Sequence, residues 1–338
     1  MLWRFVAGRV GAAVILAVGI VIVAFSLTSL LPGDAVTSQL GEQAAANPEI
    51  VARFRAQYGL DQPLYVQFFA YLGNLFQGNL GTSLESRRPV LTDLAQFGPA
   101  SAELALTATI IAIVLGVGGG VLAALRADKI SDQVLRVVSL GGVSVPLFWL
   151  SLIATAVLST SLRLFPSSGR LNPGVQPPPQ VTGLYTIDSL IAGNLPLFGQ
   201  AVWHLVLPAL VLSMPMIGLL LRFTRSSTLE VLNNEYVRAA EAKGLPRFTI
   251  VRRHVLRGAL VPVITVLGTA FASLLAGTVL VEQIFAWPGI GSYAYRSATN
   301  LDLPAIVGVT LFVAMVYVVI NLLVDVLYGF IDPRIRAA

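Results

Sequence analysis

The chain has 338 residues, of which 56% are hydrophobic and only 12% charged. A soluble domain carries about 25% charged residues, so this composition excludes an ordinary soluble enzyme or binding module and points to a membrane protein. The absence of cysteine excludes disulfides, thiolate metal sites and a cysteine nucleophile. The two histidines, His204 and His254, are too few for a histidine-rich metal site, and no metal is expected. The net charge of +5 leaves nucleic acid open until its placement is considered.

Six apolar blocks are long enough to cross a bilayer, at residues 10–31, 104–125, 137–162, 201–221, 258–281 and 304–324. About 20 apolar residues cover the roughly 30 Å of hydrocarbon. The first block carries no charge and is too long for a signal-peptide core, and the Leu31-Pro32-Gly33-Asp34 sequence that ends it is a poor cleavage site. It reads as an uncleaved first span. The expected fold is an all-α polytopic membrane protein of six transmembrane helices with a structured first outer loop.

The first outer segment, residues 32–98, is too long for a simple connection. Pro48 starts a short helix towards Gln57, and Pro63 starts a second with Leu64, Phe68, Tyr71, Leu72 and Leu75 near helical spacing. Gly73, Gly78 and Gly81 are expected to break that pattern, giving a small cap on the membrane surface. In the spans, Gly116, Gly118, Gly119 and Gly120 allow close helix approach. Pro146, Pro208 and Pro215 each remove a helix hydrogen bond and are expected to kink their spans. The second outer segment, residues 163–200, is rich in Pro, Gly and Ser and reads as an ordered loop without a core. Glu103, at a span end, reads as snorkelling or capping.

Residues 222–258 form a dense basic segment between two apolar blocks. Asn233 or Asn234 can cap a helix beginning at Glu235, followed by Tyr236, Ala239, Ala240 and Lys243. Gly244 suits the left-handed position that ends a helix, and Pro246 fits the first turn of the next. The result is helix, tight turn, helix. The bland reading is a solvated positive loop. The alternative is a docking element for a soluble partner, with Arg238, Lys243, Arg247, Arg252, Arg253 and Arg257 supplying charge around the shallow Ala239-Ala240 face.

Basic residues set the orientation. Fifteen of the 22 lie at Arg4 and Arg9, at Arg126, Lys129 and Arg136, between Arg222 and Arg257, and at Arg334 and Arg336. The positive-inside rule then places both termini and the basic segment in the cytoplasm and explains the net charge as topology, with no nucleic-acid partner.

Several motifs carry a family resemblance. Tyr236-Val237-Arg238-Ala239-Ala240-Glu241-Ala242-Lys243-Gly244 and Arg253-His254-Val255-Leu256-Arg257 resemble the coupling (EAA) loop of ABC-transporter permeases in the dipeptide/oligopeptide importer family, B-type. The leading Glu of the general pattern is Arg238 here, as in the peptide branch. Further likenesses are Leu31-Pro32-Gly33-Asp34, Tyr58-Gly59-Leu60-Asp61-Gln62-Pro63, Gly78-Asn79-Leu80-Gly81-Thr82-Ser83, the His204 to Ala209 stretch, Val281-Glu282-Gln283-Ile284-Phe285 with Pro288-Gly289-Ile290-Gly291, and Asp332-Pro333-Arg334-Ile335-Arg336. Near Asp302 the family often has Arg where this chain has Leu301.

The resemblance implies a type I ABC-importer permease fold. It implies an N-terminus and first span over residues 1–31, an outer cap region over 32–98 and a permease core over 99–338. It also implies a C-type permease as heterodimer partner, two cytoplasmic ATPase subunits, an extracytoplasmic peptide-binding protein and a bacterial inner membrane with its lipid. ATP and magnesium would sit on the ATPase subunits, because this chain has no G-x-x-x-x-G-K-[ST] phosphate loop. No catalytic residue is expected. The expected coupling residues are Glu235, Tyr236, Arg238, Ala239, Ala240, Lys243, Gly244, Arg253, His254 and Arg257. Glu282, facing an outer vestibule, and Asn321, within the last span, are the candidates for a substrate pathway. His204 and His254 are expected in structural or coupling roles. Other cargoes remain open, such as nickel chelates, glutathione or opines. A stand-alone secondary transporter or intramembrane enzyme would need paired carboxylates or a nucleophile–base pair within the spans, and the sequence offers neither.

Overall fold

The computed structural model describes residues 2–30, 47–49, 52 and 62–331. Three expected motifs therefore lie wholly or largely outside the described residues: Leu31-Pro32-Gly33-Asp34, the Tyr58 to Asp61 part of its stretch, and Asp332 to Arg336. The short helix expected from Pro48 to Gln57 does so for most of its length.

In chain order the helices are α1 (Leu2–Leu30), α2 (Leu64–Phe76), α3 (Val90–Leu125, with a π turn at Ile113–Val117), α4 (Ile130–Ser144) and α5 (Leu147–Ser161, π-helical over Thr155–Ser161). There follow α6 (Tyr185–Ile191), α7 (Leu195–Leu232) and α8 (Glu235–Ala242). Next is α9, composed of Arg247–Ile250, a π turn at Val251–Val255 and Leu256–Ile284, and then α10 (Ile290–Thr299) and α11 (Leu303–Ile331). Among the described residues the sheet pairing is a single isolated antiparallel bridge, Thr82 with Pro89.

Among the described residues four helices are long and apolar enough to cross a membrane: α1 over Ala7–Ser26, α3, α7, and α11 over Leu303–Leu322. The pair α4–α5, bent by 109°, makes five if it is one broken span. This is short of the six expected, although the remaining block, 258–281, falls inside the 29-residue segment Leu256–Ile284. The bend has a local cause. Pro146 has no N–H to donate and pushes Val145 out of the helical region, to φ −82° and ψ 125°. At Pro208 and Pro215 the helix is not interrupted: α7 runs through both as one 38-residue helix. At 1.5 Å per residue it is about 57 Å long, well beyond the hydrocarbon thickness.

The chain forms two compact units, one built on Pro99–Gly291 and the other on Ala7–Gly98 with Ser292–Val319. In the first, α7 is the central post. Gly116 and Gly120 of α3 face it so closely that a Cβ would meet Leu220 at 2.8 Å or Thr224 at 2.6 Å, and Gly119 also faces it, whereas Gly118 faces open space. Leu104, Leu207, Leu220 and Val281 lie in the shared apolar core.

The second outer segment does have an organising centre, contrary to its reading as a coreless loop. The buried Asp188 accepts hydrogen bonds from the Thr182 N–H at 2.8 Å and hydroxyl at 2.7 Å, the Gly183 N–H at 2.9 Å and the Val181 N–H at 3.3 Å. Arg170 is buried beside it, paired with Glu103 at 2.5 Å and seated over the Tyr185 ring.

In the second unit, α2 follows the expected register. Phe68, Tyr71, Leu72 and Leu75 are half-buried against Val21 and Ala24 of α1 and Leu311 of α11. Gly73 does not interrupt this helix; the break comes later, where Gly78 and Gly81 take positive φ. Two buried aspartates then fix the following loop. Asp302 accepts from the Ser83 hydroxyl at 2.6 Å and the Leu84 N–H at 2.9 Å. Asp93 pairs with Arg88 and accepts from the Tyr293 hydroxyl at 3.1 Å.

Candidate functional site

The basic segment folds as a hairpin with a small core of its own. Val237 and Ala240, three residues apart on α8, turn inward and join Val231 at the end of α7 with Ile250, Val255 and Ala259 of α9. The expected shallow Ala239-Ala240 face is not formed, because Ala240 turns into the core and only Ala239 faces out. Asn234 stands at the N-cap, but its side chain makes no cap bond; its carbonyl accepts from the Val237 and Arg238 N–H groups at 3.0 and 3.3 Å.

The helix ends as expected. Gly244 has φ +74°, its N–H donates to the Glu241 carbonyl at 2.9 Å, and the Leu245 N–H donates back to the Ala240 carbonyl at 3.4 Å. This pair of bonds is the Schellman arrangement, which needs a left-handed residue at the glycine position. Pro246 is one residue earlier than expected. It caps the next helix, its carbonyl accepting from Thr249 at 2.8 Å and Ile250 at 3.1 Å, and Arg247 is the first helical residue.

The outward face carries Glu235, Tyr236, Arg238, Ala239, Lys243, Gly244, Arg247, Arg252, Arg253 and Arg257, all exposed; His254 is half-buried in the π turn. Among the charges stand three large apolar side chains, Phe248 at 75% exposure, Tyr236 at 47% and Leu245 at 39%. The Tyr236 hydroxyl lies against Gly258, where a Cβ would come within 3.0 Å of it. The hairpin is thus a basic knob with its own core, bearing Leu245 and Phe248 at the turn and Tyr236 near its root. Such a surface suits insertion into a groove on another protein.

The substrate-pathway candidates fare differently. Glu282 is fully buried and accepts a hydrogen bond from Ser101, whose oxygen also accepts from the Ile290 N–H at 2.8 Å. Gly289 and Gly291 close over its carboxylate, since a Cβ at either position would overlap it. Glu282 therefore does not face a vestibule; it anchors the turn after α9. Asn321 is half-buried in α11. His204 holds the second outer loop: Nδ1 donates to the Gly169 carbonyl at 3.0 Å, and Nε2 faces the Asn172 side-chain amide at 3.0 Å. Among the described residues no cluster of His, Cys, Asp or Glu could hold a metal ion.

Sequence reasoning passed over a further charged pair. Asp132, in the first turn of α4, is fully buried and clasped by Arg225 of α7 through two bonds, Nε to Oδ1 at 2.6 Å and Nη2 to Oδ2 at 2.8 Å. The only signal was an acidic residue amid the basic ones that set the topology.

Residues 116–337 match the family described as binding-protein-dependent transport system inner membrane component, and residues 1–98 match its N-terminal companion. The chain belongs to this family. It is 42% identical to a probable D,D-dipeptide transport system permease protein of Escherichia coli K12, over 98% of this chain and 97% of that one. It is also 42% identical to a di/tripeptide transport system permease protein of Pseudomonas aeruginosa UCBPP-PA14, over 98% of both chains. A dipeptide transport system permease protein of Haemophilus influenzae Rd is 40% identical over 99% of this chain and all of that one. Family membership makes the chain a multi-pass transmembrane permease subunit with the type I ABC-importer permease fold. The hairpin of α8 and α9 lies within the family's main matched region.

Proposed function

We propose that this chain is the B-type half of the translocation pathway of an ATP-driven importer of short peptides, and that the hairpin from Glu235 to Arg257 is its handle for a cytoplasmic ATPase. The observation that carries the reading is the form of the hairpin: a self-contained apolar core, a left-handed glycine turn, and an exposed face mixing arginines with Phe248 and Tyr236. Relatives that are peptide permeases along nearly their whole length support the cargo class.

In this reading the basic ends of the spans and both termini lie in the cytoplasm of a bacterial cell, and the protein sits in the inner membrane. A C-type permease completes the pathway, an extracytoplasmic binding protein delivers the peptide, and two ATPase subunits hold ATP and magnesium. The present chain is non-catalytic. It turns ATPase closure and opening into alternating access by biasing two packings of its helices.

The test is peptide uptake by the full complex in vesicles, with and without ATP, comparing the wild type with Gly244→Val. A Cβ at Gly244 meets nothing, so the substitution acts only through the backbone, which at φ +74° disfavours a β-branched residue. ATP-driven uptake that disappears in Gly244→Val while the complex still assembles is the expected result. Wild-type uptake in that variant would rule out the coupling role. A second reading concerns the cargo's handedness, because one relative is named for D,D-dipeptides and others for dipeptides or di/tripeptides. Competition of L,L- and D,D-dipeptides in the same assay separates the two.

A further inference from the structure

The Asp132–Arg225 pair sits where the coupling hairpin's support meets the bent span. Arg225 lies near the end of α7, whose Val231 belongs to the hairpin core. Asp132 opens α4, and α4 turns through 109° into α5. Besides Arg225, the carboxylate accepts the Asp128 N–H at 3.0 Å, and Arg136 stands 3.6 Å away.

The two helices are locked again further along. The Ser139 hydroxyl donates to the Gly218 carbonyl at 2.7 Å. Gly142 and Gly218 are seated so that a Cβ on either would come within 2.7 or 2.6 Å of the opposite backbone. The glycine contacts fix the distance between α4 and α7. The arginine fork fixes their angle and register, because two parallel bonds to one carboxylate tolerate little rotation. At its other end this assembly reaches an apolar cavity of about 110 Å³, lined by Leu147 of α5, Met216 of α7, and Leu274 and Gly277 of α9.

We infer that Asp132 and Arg225 are positioning residues that oblige α4 and the bent α4–α5 span to follow the coupling hairpin, so that ATPase movement reaches the wall of this cavity. The inference rests on the coupling role proposed above. Packed interfaces of this kind switch between discrete arrangements instead of deforming smoothly, so a link that sets angle and register decides whether the far end moves. Without the fork, α7 would still follow the hairpin, while α4 would be held to it only by the Ser139 bond and the glycine contacts further along.

The test measures hydrolysis and uptake together in the full reconstituted complex and takes their ratio, peptide moved per ATP spent. A merely structural role lowers the amount of complex and both activities in step, leaving the ratio unchanged. Asp132→Asn removes the charge, and Arg225→Lys keeps the charge but loses the fork. Both are expected to lower the ratio, by on the order of tenfold. The chain has no cysteine, so Asp132→Cys with Arg225→Cys can be bridged by a short bifunctional thiol reagent. The unbridged pair should be uncoupled, and the bridged pair should recover coupling.

A wild-type ratio in Asp132→Asn, a proportional fall of both activities, or a bridged pair that stays uncoupled would each overturn the inference. Failure of both the Asp132→Asn and the double-cysteine chains to assemble would also overturn it, by making the pair a folding element. A wild-type complex that hydrolyses ATP without moving any peptide would instead remove the proposed function itself.

Discussion

At Glu103 both carboxylate oxygens are occupied. Oε2 takes the Arg170 guanidinium at 2.5 Å, and Oε1 takes the Thr186 N–H at 2.8 Å and hydroxyl at 2.6 Å. Both charges are buried, so removing one strands the other. Glu103→Gln or Arg170→Met should each destabilise the protein by roughly 3–5 kcal/mol, and the double variant by less than the sum. Thermal unfolding in detergent measures this. Asp188 gives a pH dependence to the same loop. Burial alone would raise its carboxyl, but the hydrogen bonds from Thr182, Gly183 and Val181 outweigh that and hold it below the ordinary value. A depressed folded pKa stabilises the loop above the unfolded carboxylate value of about 4, and that contribution is lost as pH falls through the lower folded value. Hydrogen exchange over residues 170–190 should therefore accelerate only below about pH 4, and Asp188→Asn should be fast already at neutral pH. None of these partners was legible from position along the chain. Glu103 looked like a span-end residue because its partner stands 67 residues away, and His204 alone among the buried polar groups was expected to be structural and is.

The elements themselves were largely legible. Five of the six apolar blocks fall on candidate spans if the bent pair is one of them, and Pro146 marked the break that the structure resolves as a 109° bend. Pro208 and Pro215 do not end α7, because a proline removes one N–H without obliging the helix to stop. The start of α3 at Val90 was hidden, since its first turns alternate buried Val90, Asp93 and Leu94 with exposed residues and do not resemble a span. The glycine run was visible, but not which glycine faces which helix; the π turn at Ile113–Val117 shifts that register. The structure now separates them. Gly120→Ala would press on Thr224 and the Leu221 carbonyl, whereas Gly118→Ala meets nothing. The first should cost about 1–3 kcal/mol by overpacking. The second should be neutral or stabilising by up to about 1 kcal/mol, because alanine is the better helix former. Unfolding midpoints of the two variants, measured side by side, check the assignment.

Over the whole molecule, the helix–turn–helix form of the α8–α9 hairpin was the most legible feature. Its helices and glycine turn follow from local sequence rules that need no distant partner. The two long loop segments were the least legible: buried Arg170, Asp93 and Asp302 organise them through contacts between parts remote in the chain, and Asp188 by gathering the backbone N–H groups just before it. Glu282 illustrates the same limit: an acidic residue beside a span end looked available to a peptide amine, and the fold encloses it. If the hairpin is the handle proposed above, its turn grips an ATPase. The most direct measurement is cross-linking from a single cysteine introduced into this cysteine-free chain, at Phe248 on the tip or at Val181 in the second outer loop, both exposed. In the transport-competent complex, the account predicts a cross-link between Phe248→Cys and the ATPase subunit whose yield changes when ATP is added, and none from Val181→Cys. An ATPase that cross-links to Val181→Cys and not to Phe248→Cys, in a complex that still transports, would contradict it.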